Sequence, residues 1–452
     1  MVIEAMIIIF ILGYTCIALE HKININKAAI ALLMCGVLWS ILSIWSTSIN
    51  PDITPAVINS QIIEFLGEAC EIIVFLIGAM TIVDLIDFHG GFEVITKHIT
   101  TRRKTRLLWL IAGITFLMSS LLDNMTSTII MVMLLRRLID NYKERWIFAS
   151  VIVIAANSGG AWSPIGDVTT IMLWMKGYVT AGKLIGTLLL PCIVSLVIPT
   201  AIATHFLKGV IAKEHTDEET SSRPEFITSK ESRLILYLGT GLLIAVPIFK
   251  SVTGLPPYMG VIIALGLMWV FTEIMYDRKR DIEESIKNRV SKVLKHIDMP
   301  TILFFLGILM SVSALQSAGI LSSLANALNN GVHNIYAINS MIGILSSVID
   351  NVPLVAAAMG MYPIGDPATV AAAADPAFAA MFVQDGAFWH MLAYCAGVGG
   401  SLLIIGSAAG VVAMGLEKMN FFWYFKNITL LAFAGYVGGI LVFILEHMIF
   451  AF

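Results

Sequence analysis

Ser119-Ser-Leu-Leu-Asp123-Asn124-Met-Thr-Ser-Thr128 interrupts an otherwise apolar segment, 107–135, whose flanks are both basic. Arg102, Arg103, Lys104 and Arg106 precede it, and Arg136, Arg137, Lys143 and Arg145 follow it. Lys and Arg mark the cytoplasmic side of a membrane segment, so both ends lie on that side and the chain enters and returns. Each arm of about 14 residues makes roughly 21 Å of helix, short of a hydrocarbon core of roughly 30 Å. The segment reads as a re-entrant hairpin. A second segment, 335–362, carries Ser346-Ser-Val-Ile-Asp350-Asn351 between non-basic flanks and is expected to enter from the opposite side.

The rest of the 452-residue chain fits a membrane setting. Hydrophobic residues make up 58% and charged residues 13%, with a mean hydropathy of +0.87. A soluble domain carries about 25% charged residues, so a water-facing surface of that kind is excluded. The net charge is −3 and no basic patch points to nucleic acid as a partner. Cys16, Cys35, Cys70, Cys192 and Cys395 lie in apolar runs without metal or disulfide spacing, and read as small core residues. The first apolar run, Met6 to Leu19, lacks a basic start and a small-residue cleavage site and reads as a retained helix. Full-length spans are expected at 3–20, 27–46, 61–88, 146–175, 183–207, 234–250, 256–276, 299–317, 387–416 and 427–449. With the basic loops 97–106 and 277–298 in the cytoplasm, only Lys176, Lys183 and Lys250 fall outside. The fold class is all-α, a polytopic membrane protein surrounded by lipid.

The halves match at three places in one order. Phe75-Leu-Ile-Gly78 and Gly90 pair with Phe304-Phe-Leu-Gly307 and Gly319; the two hairpin motifs pair; Gly159-Gly160 and Gly166 pair with Gly399-Gly400 and Gly406. The charge-derived topology sets the copies in opposite orientation. Five spans plus one hairpin, repeated upside down, is a plan of secondary transporters. The first repeat is 1–207, the cytoplasmic linker 208–233 with its acidic run Glu214 to Glu219, and the second repeat 234–452. Residues 281–296 fit an amphipathic surface helix.

Two spans are broken within the membrane. Asn157-Ser-Gly-Gly-Ala-Trp-Ser-Pro-Ile-Gly-Asp167-Val-Thr169 cannot continue as one helix through its glycines and proline, and Gly397-Val-Gly-Gly-Ser401 to Gly406-Ser407 repeats the pattern. Irregular backbone at membrane depth survives only around a protein-lined or watery cavity. Asp123, Asp167 and Asp350 sit at these breaks and no Lys or Arg is expected to accompany them, so a cation is expected there rather than an anion. Asn124, Thr126, Ser127, Thr128, Asn157, Ser158, Thr169, Asn351, Ser401 and Ser407 offer hard oxygen ligands nearby. Asp123 and Asp350 also suit helix N-caps. Asp167 could be a structural partner of its broken helix, and Ser119, Ser120, Ser346 and Ser347 backbone-bonding residues. Glu64, Glu68 and Glu71 share a face near the outer end of span 61–88, with Asp84 and Asp87 near its inner end. Glu64 reads as interfacial; Glu68, Glu71 and Asp84 are candidates for a proton path or access route, and His390 for a pH-responsive group.

Together with Gly67-Glu-Ala, Phe75 to Asp84, Ala156 to Thr170 and Asp350-Asn-Val-Pro353, these motifs resemble the ion-transporter superfamily, and within it the NhaD-type sodium/proton antiporters. The resemblance covers about residues 60–450. It implies exchange of cytoplasmic Na⁺ or Li⁺ for external protons, with pH homeostasis as the outcome, in a bacterial inner membrane. No cofactor is implied beyond the transported ions. Asp123, Asn157, Asp167, Thr169 and Asp350 would hold the ion, Na⁺ lying at Asp123, Asp167 and Asp350, and a homodimer is compatible with the superfamily's dicarboxylate carriers. The second broken helix departs from the first in being much less polar. Rival readings are a Na⁺-coupled carboxylate symporter, an arsenite-type exporter, a passive channel and, from a different class, an intramembrane aspartyl protease using two buried Asp.

Overall fold

The computed structural model describes residues 2–18, 20–23, 25–49, 54–92, 101, 103–207, 209–210, 226–279, 287, 289–373 and 375–450. Among these the fold is helical, with one isolated β-bridge between Arg103 and Val210 and no strand. The principal helices are α1 (Val2–Ala18), α2 (Lys27–Ile49), α3 (Pro55–Phe88), α4 (Lys104–Ser119), α5 (Asn124–Leu138), α6 (Tyr142–Ala161), α7 (Val168–Met175), α8 (Ala181–Ala203) and α9 (Ser229–Thr253). They continue with α10 (Pro257–Asp277), α11 (Met299–Ser317), α12 (Ile320–Gly331), α13 (Ile335–Ser346), α14 (Asn351–Met361), α15 (Ala387–Gly399), α16 (Ala408–Glu417) and α17 (Thr429–Phe450). Among the described residues seven helices are long and apolar enough to cross a membrane. The chain is an all-α, multi-pass membrane protein.

The interruptions fall where the sequence puts them. Segment 107–135 divides into α4 and α5, and 335–362 into α13 and α14, each pair joined through a Ser-x-x-Asp turn. At 16 and 15 residues the first two arms are about 24 and 22 Å long. Span 146–175 divides into α6 and α7, and 387–416 into α15 and α16. The expected start of span 61–88 is late: Thr54 caps the helix and Pro55 begins it, so α3 runs 34 residues. Helix 234–250 likewise begins early, at Ser229, closed by a reciprocal capping box between Thr228 and Glu231. Residues 208 and 211–225 of the linker, and 281–286 and 288 of the surface-helix candidate, lie outside the described residues; Val290–Val293 and Leu294–His296 form short helical turns.

The matched motifs occupy matched geometry. Ser119 Oγ donates to Ala156 O at 2.6 Å, and Ser346 Oγ to Ala396 O at 2.7 Å. Ser120 and Ser347 bond the carbonyls of Leu117 and Ile344. Each hairpin is thereby fastened to the broken helix behind it. Glycine is required at these crossings: a Cβ on Gly166 would stand 2.6 Å from Ser119 O, and one on Gly406 2.6 Å from Ser347 O. Gly90 and Gly319 take the left-handed conformation at φ 69° and 73°.

The helices form two packed groups. α1, α2, α3, α9, α10 and α11 pack on one another; α4 to α8 and α13 to α17 make the second group, with α8 tight against α17. α11 against α14 and α3 against α7 are the principal contacts between the groups. At the basic-loop end, buried Glu417 closes α16 against α5 and α6, accepting from Arg136 Nε at 2.9 Å and Arg145 Nε at 2.8 Å. At the other end Asp385 accepts from Thr180 N at 2.6 Å and Thr180 Oγ1 at 2.8 Å. Cys192 and Cys395 are buried in the core and Cys35 packs half-buried against it, whereas Cys16 and Cys70 face outward, so the core reading of all five cysteines fails for those last two.

Candidate functional site

Asp167 ends the irregular stretch 162–167 and caps α7. Its Oδ1 accepts from Thr169 N and Thr169 Oγ1, both at 2.9 Å. The cap fixes the carboxylate's direction, leaving it aimed at the two hairpin tips. Asn124, the first residue of α5, donates from Nδ2 to Asp167 Oδ2 at 2.7 Å. Asn351, the first residue of α14, reaches both carboxylate oxygens at 3.3 Å. Residues equivalent in the two halves therefore converge on one carboxylate, which is 2% exposed.

Asn157 completes the network from the last turn of α6. Its Oδ1 accepts from Asn124 Nδ2 at 3.1 Å, while its Nδ2 donates to Ser401 Oγ and Ser407 Oγ, both at 2.9 Å. Ser407 caps α16 as Asp167 caps α7, with nearly the same backbone angles. Both hairpin tips and both broken helices thus meet in one buried hydrogen-bonded cluster. Burying a carboxylate costs several kcal/mol unless charge or hydrogen bonds offset it, and around Asp167 the donors are neutral amides, a hydroxyl and one backbone N–H. A bound cation or a proton would supply the missing compensation.

The three aspartates do not gather at one point. Asp123 caps its own helix, accepting from Thr126 N at 2.7 Å and Thr126 Oγ1 at 2.6 Å. Asp350 stands at the start of α14 but makes no side-chain cap bond; Lys27 Nζ donates to its Oδ2 at 3.2 Å. This corrects the expectation that no basic residue accompanies the aspartates. Lys27 is 323 residues away in sequence, and at the start of a span it reads only as one more inside-facing positive charge. Among the described residues no three His, Cys, Asp or Glu side chains cluster to hold a metal, so a cation at Asp167 would complete its shell with neutral oxygens.

The remaining candidates scatter. Ser158 Oγ accepts from Ser195 Oγ at 2.9 Å and so faces α8. Thr128 Oγ1 bonds the carbonyl of Asn124 at 2.8 Å, and Thr126 serves Asp123. Glu68 pairs with Lys176 at 3.0 Å. Glu71 is half-buried on α3, and Asp84 lies close enough to Asp123 to feel its charge. His390 is buried with Nε2 3.5 Å from Asp385.

Two cavities approach from different directions. One of about 210 Å³ runs from Asp167, Asn124, Asn351 and Ser407 to Asp350, Lys27, Tyr14 and Glu20. The other, about 600 Å³, is lined by Gln61, Glu64, Glu68, Lys176 and Gln316 among others, and does not include Asp167. Glu64 and Glu68 line it, whereas Glu71 does not.

Known proteins resemble this chain over nearly its whole length. A family profile described as "Citrate transporter" matches residues 7–384. "Sodium/proton antiporter 1" of Arabidopsis thaliana is 44% identical over 443 residues, 98% of this chain and 72% of the relative. "Sodium/proton antiporter 2" of the same plant is 42% identical over 98% of this chain and 99% of the relative. "Na(+)/H(+) antiporter NhaD" of Alkalimonas amylolytica is 28% identical over 96% and 89%. These relatives are carriers rather than enzymes, which removes the protease reading; the chain belongs to the ion-transporter superfamily and, within it, to the NhaD-type antiporters.

Proposed function

We propose that the protein exchanges Na⁺, or Li⁺, for protons by alternating access, with one cation or one proton competing for Asp167. The observation that carries this reading is the convergence of Asn124, Asn351, Asn157 and Thr169 on or beside a single buried carboxylate. The relatives' names support sodium and protons as the cargo. Asp123 and Asp350 then act at the rim, on the hairpin tips, rather than as partners around one ion.

The two halves act as inverted repeats, 1–207 and 234–452, joined by the linker 208–233. The helix group holding the hairpins and broken helices moves against the other group, so the site at the membrane midplane faces each side in turn. That the smaller cavity joins Asp167 to Glu20, Lys27 and Thr301, beside the basic-loop end, supports a cytoplasm-facing state in this cycle. Each net charge moved exchanges about 2.3 kcal/mol per 100 mV of membrane potential. The setting is a bacterial inner membrane, the chain acting in pH homeostasis, alone or as a homodimer.

A carboxylate carrier is the second reading, favoured by the name of the matched family. The site opposes it. An anion would need free helix N-termini or unpaired cations, yet the starts of α5, α7 and α16 are occupied by the side chains of Asp123, Asp167 and Ser407, and at the uncapped start of α14 the cation of this cavity, Lys27, is already paired with Asp350. The test is proton movement in everted vesicles from a strain without its own antiporters, challenged with NaCl, LiCl, KCl or citrate. Sodium-dependent collapse of an acid interior, abolished in Asp167→Asn, is the expected result. Citrate-dependent flux, or sodium-dependent collapse that survives Asp167→Asn in inserted protein, would refute it.

A further inference from the structure

Asp350 differs from the other two aspartates. Asp123 and Asp167 direct oxygens at the first N–H groups of their own helices; Asp350 holds the equivalent position on α14 without doing so. Its carboxylate accepts from Lys27 Nζ at 3.2 Å, the two side chains being 19% and 26% exposed on the wall of the cavity that leads to Asp167. The partners belong to different helix groups. Lys27 begins α2 in the first; Asp350 lies at a hairpin tip in the second.

Lys27 is fixed from its own side. Its backbone N–H donates to Glu20 Oε1 at 3.0 Å, and its ammonium stands 4.4 Å above the Phe304 ring of α11. α2 and α11 are tightly apposed: a Cβ on Gly307 would stand 2.7 Å from the carbonyl carbon of Ala31, and Trp39 Nε1 donates to Met310 O at 2.8 Å. One helix group therefore presents a positive charge to a hairpin tip of the other.

We infer that Lys27 is a tethered competitor of the transported cation: its ammonium holds Asp350 while the cavity is open, and entering Na⁺ has to displace it. This rests on the sodium/proton reading above. Asp350 lines the cavity that reaches Asp167, and two like charges close to one partly exposed carboxylate repel, so a Na⁺ entering toward Asp167 and the Lys27 ammonium cannot both hold Asp350. Between turnovers the ammonium neutralises a carboxylate that would otherwise face the cavity unpaired. On Na⁺ arrival its release removes an ion pair that ties the hairpin tip to the other helix group. Lys27 is a positioning residue here, acting through Asp350.

The test is equilibrium binding of radioactive sodium to the purified full chain, with choline as the control ion. Lys27→Gln is expected to bind Na⁺ about fivefold more tightly, the scale of a partly exposed ion pair, while Lys27→Arg stays near wild type. Unchanged or weaker binding by Lys27→Gln overturns the inference and leaves the sodium reading intact. Absence of binding by wild type overturns both. Should Lys27→Gln fail to insert, the wild-type chain carries the test. Labelling of Lys27 by an amine-reactive reagent, mapped by mass spectrometry, is expected to be faster in NaCl than in choline chloride. Equal rates overturn the inference.

Discussion

Asn157→Ala removes the residue that ties the two broken helices together. Three hydrogen bonds go with it: one from Asn124, and one each to Ser401 and Ser407. At about 1 kcal/mol net per bond the loss is about 3 kcal/mol. If the network serves to hold Asp167 and its neighbours in the geometry a cation needs, that loss falls on binding and raises the Kd for Na⁺ about a hundredfold. The assay is thermal unfolding of purified protein with and without NaCl, because a ligand that binds only the folded state stabilises it by RT ln(1 + [L]/Kd). At a sodium concentration one hundred times the wild-type Kd, wild type gains about 2.7 kcal/mol, while a variant weakened about a hundredfold gains about 0.4 kcal/mol. The sodium-induced rise in Tm should all but vanish. Ser158→Ala is the control: its hydroxyl meets Ser195 rather than the network, and its sodium response should match wild type. A folded Asn157→Ala that keeps the full sodium-induced rise would refute the account.

Two further outcomes follow from particular contacts. Gly166→Ala and Gly406→Ala would each push a methyl to 2.6 Å from a backbone oxygen, costing about 1–3 kcal/mol by overpacking and lowering Tm in both halves; Gly36→Ala, with open space around its Cβ, should be neutral or slightly stabilising. At the end opposite the basic loops, burial pushes the Asp385 carboxyl up, but the His390 ring and the Thr180 N–H and hydroxyl more than offset this and hold it below the usual carboxylate range. A lowered folded-state pKa contributes stability above the unfolded value that is lost as pH falls through the folded one. Asp385→Asn should therefore flatten the acid limb of a Tm–pH curve below about pH 4, and a limb as steep as wild type would contradict it.

The fold was legible because lipid punishes irregularity. Gly159-Gly160, Pro164 and Gly166 could not lie inside an apolar span by accident, and the Ser-x-x-x-Asp-Asn repeat marks the turn in both interrupted segments. Asn124, Asn157, Asp167, Thr169 and Asn351 were readable for the same reason: polar side chains at breaks must satisfy one another. What stayed hidden was pairing across distance. Nothing in the residues around Asp350 announces Lys27, and Glu68 reads as a free acid until Lys176 is seen beside it. Asp123 and Asp350 look interchangeable in sequence, yet one caps its helix and the other reaches across a boundary between helix groups. Local motifs specify local geometry; a charge's partner depends on how helices pack.

The match between halves stops at the position that matters most. Residues 167 and 407 both cap the second segment of a broken helix, and Asn124 and Asn351 both donate to the first of them. One position is Asp and the other Ser. Carboxylates at both would set two like charges in one buried cluster, where only one could ionise at neutral pH. Hydroxyls at both would leave nothing to draw a cation from its hydration shell. A single carboxylate flanked by amides and hydroxyls balances one positive charge, whether a sodium ion or a proton, and the two cannot share it. On the sodium/proton exchange proposed above, competition between the ions would follow from having one charge at the centre, and two hairpin tips that both reach that charge would let it be presented to either side.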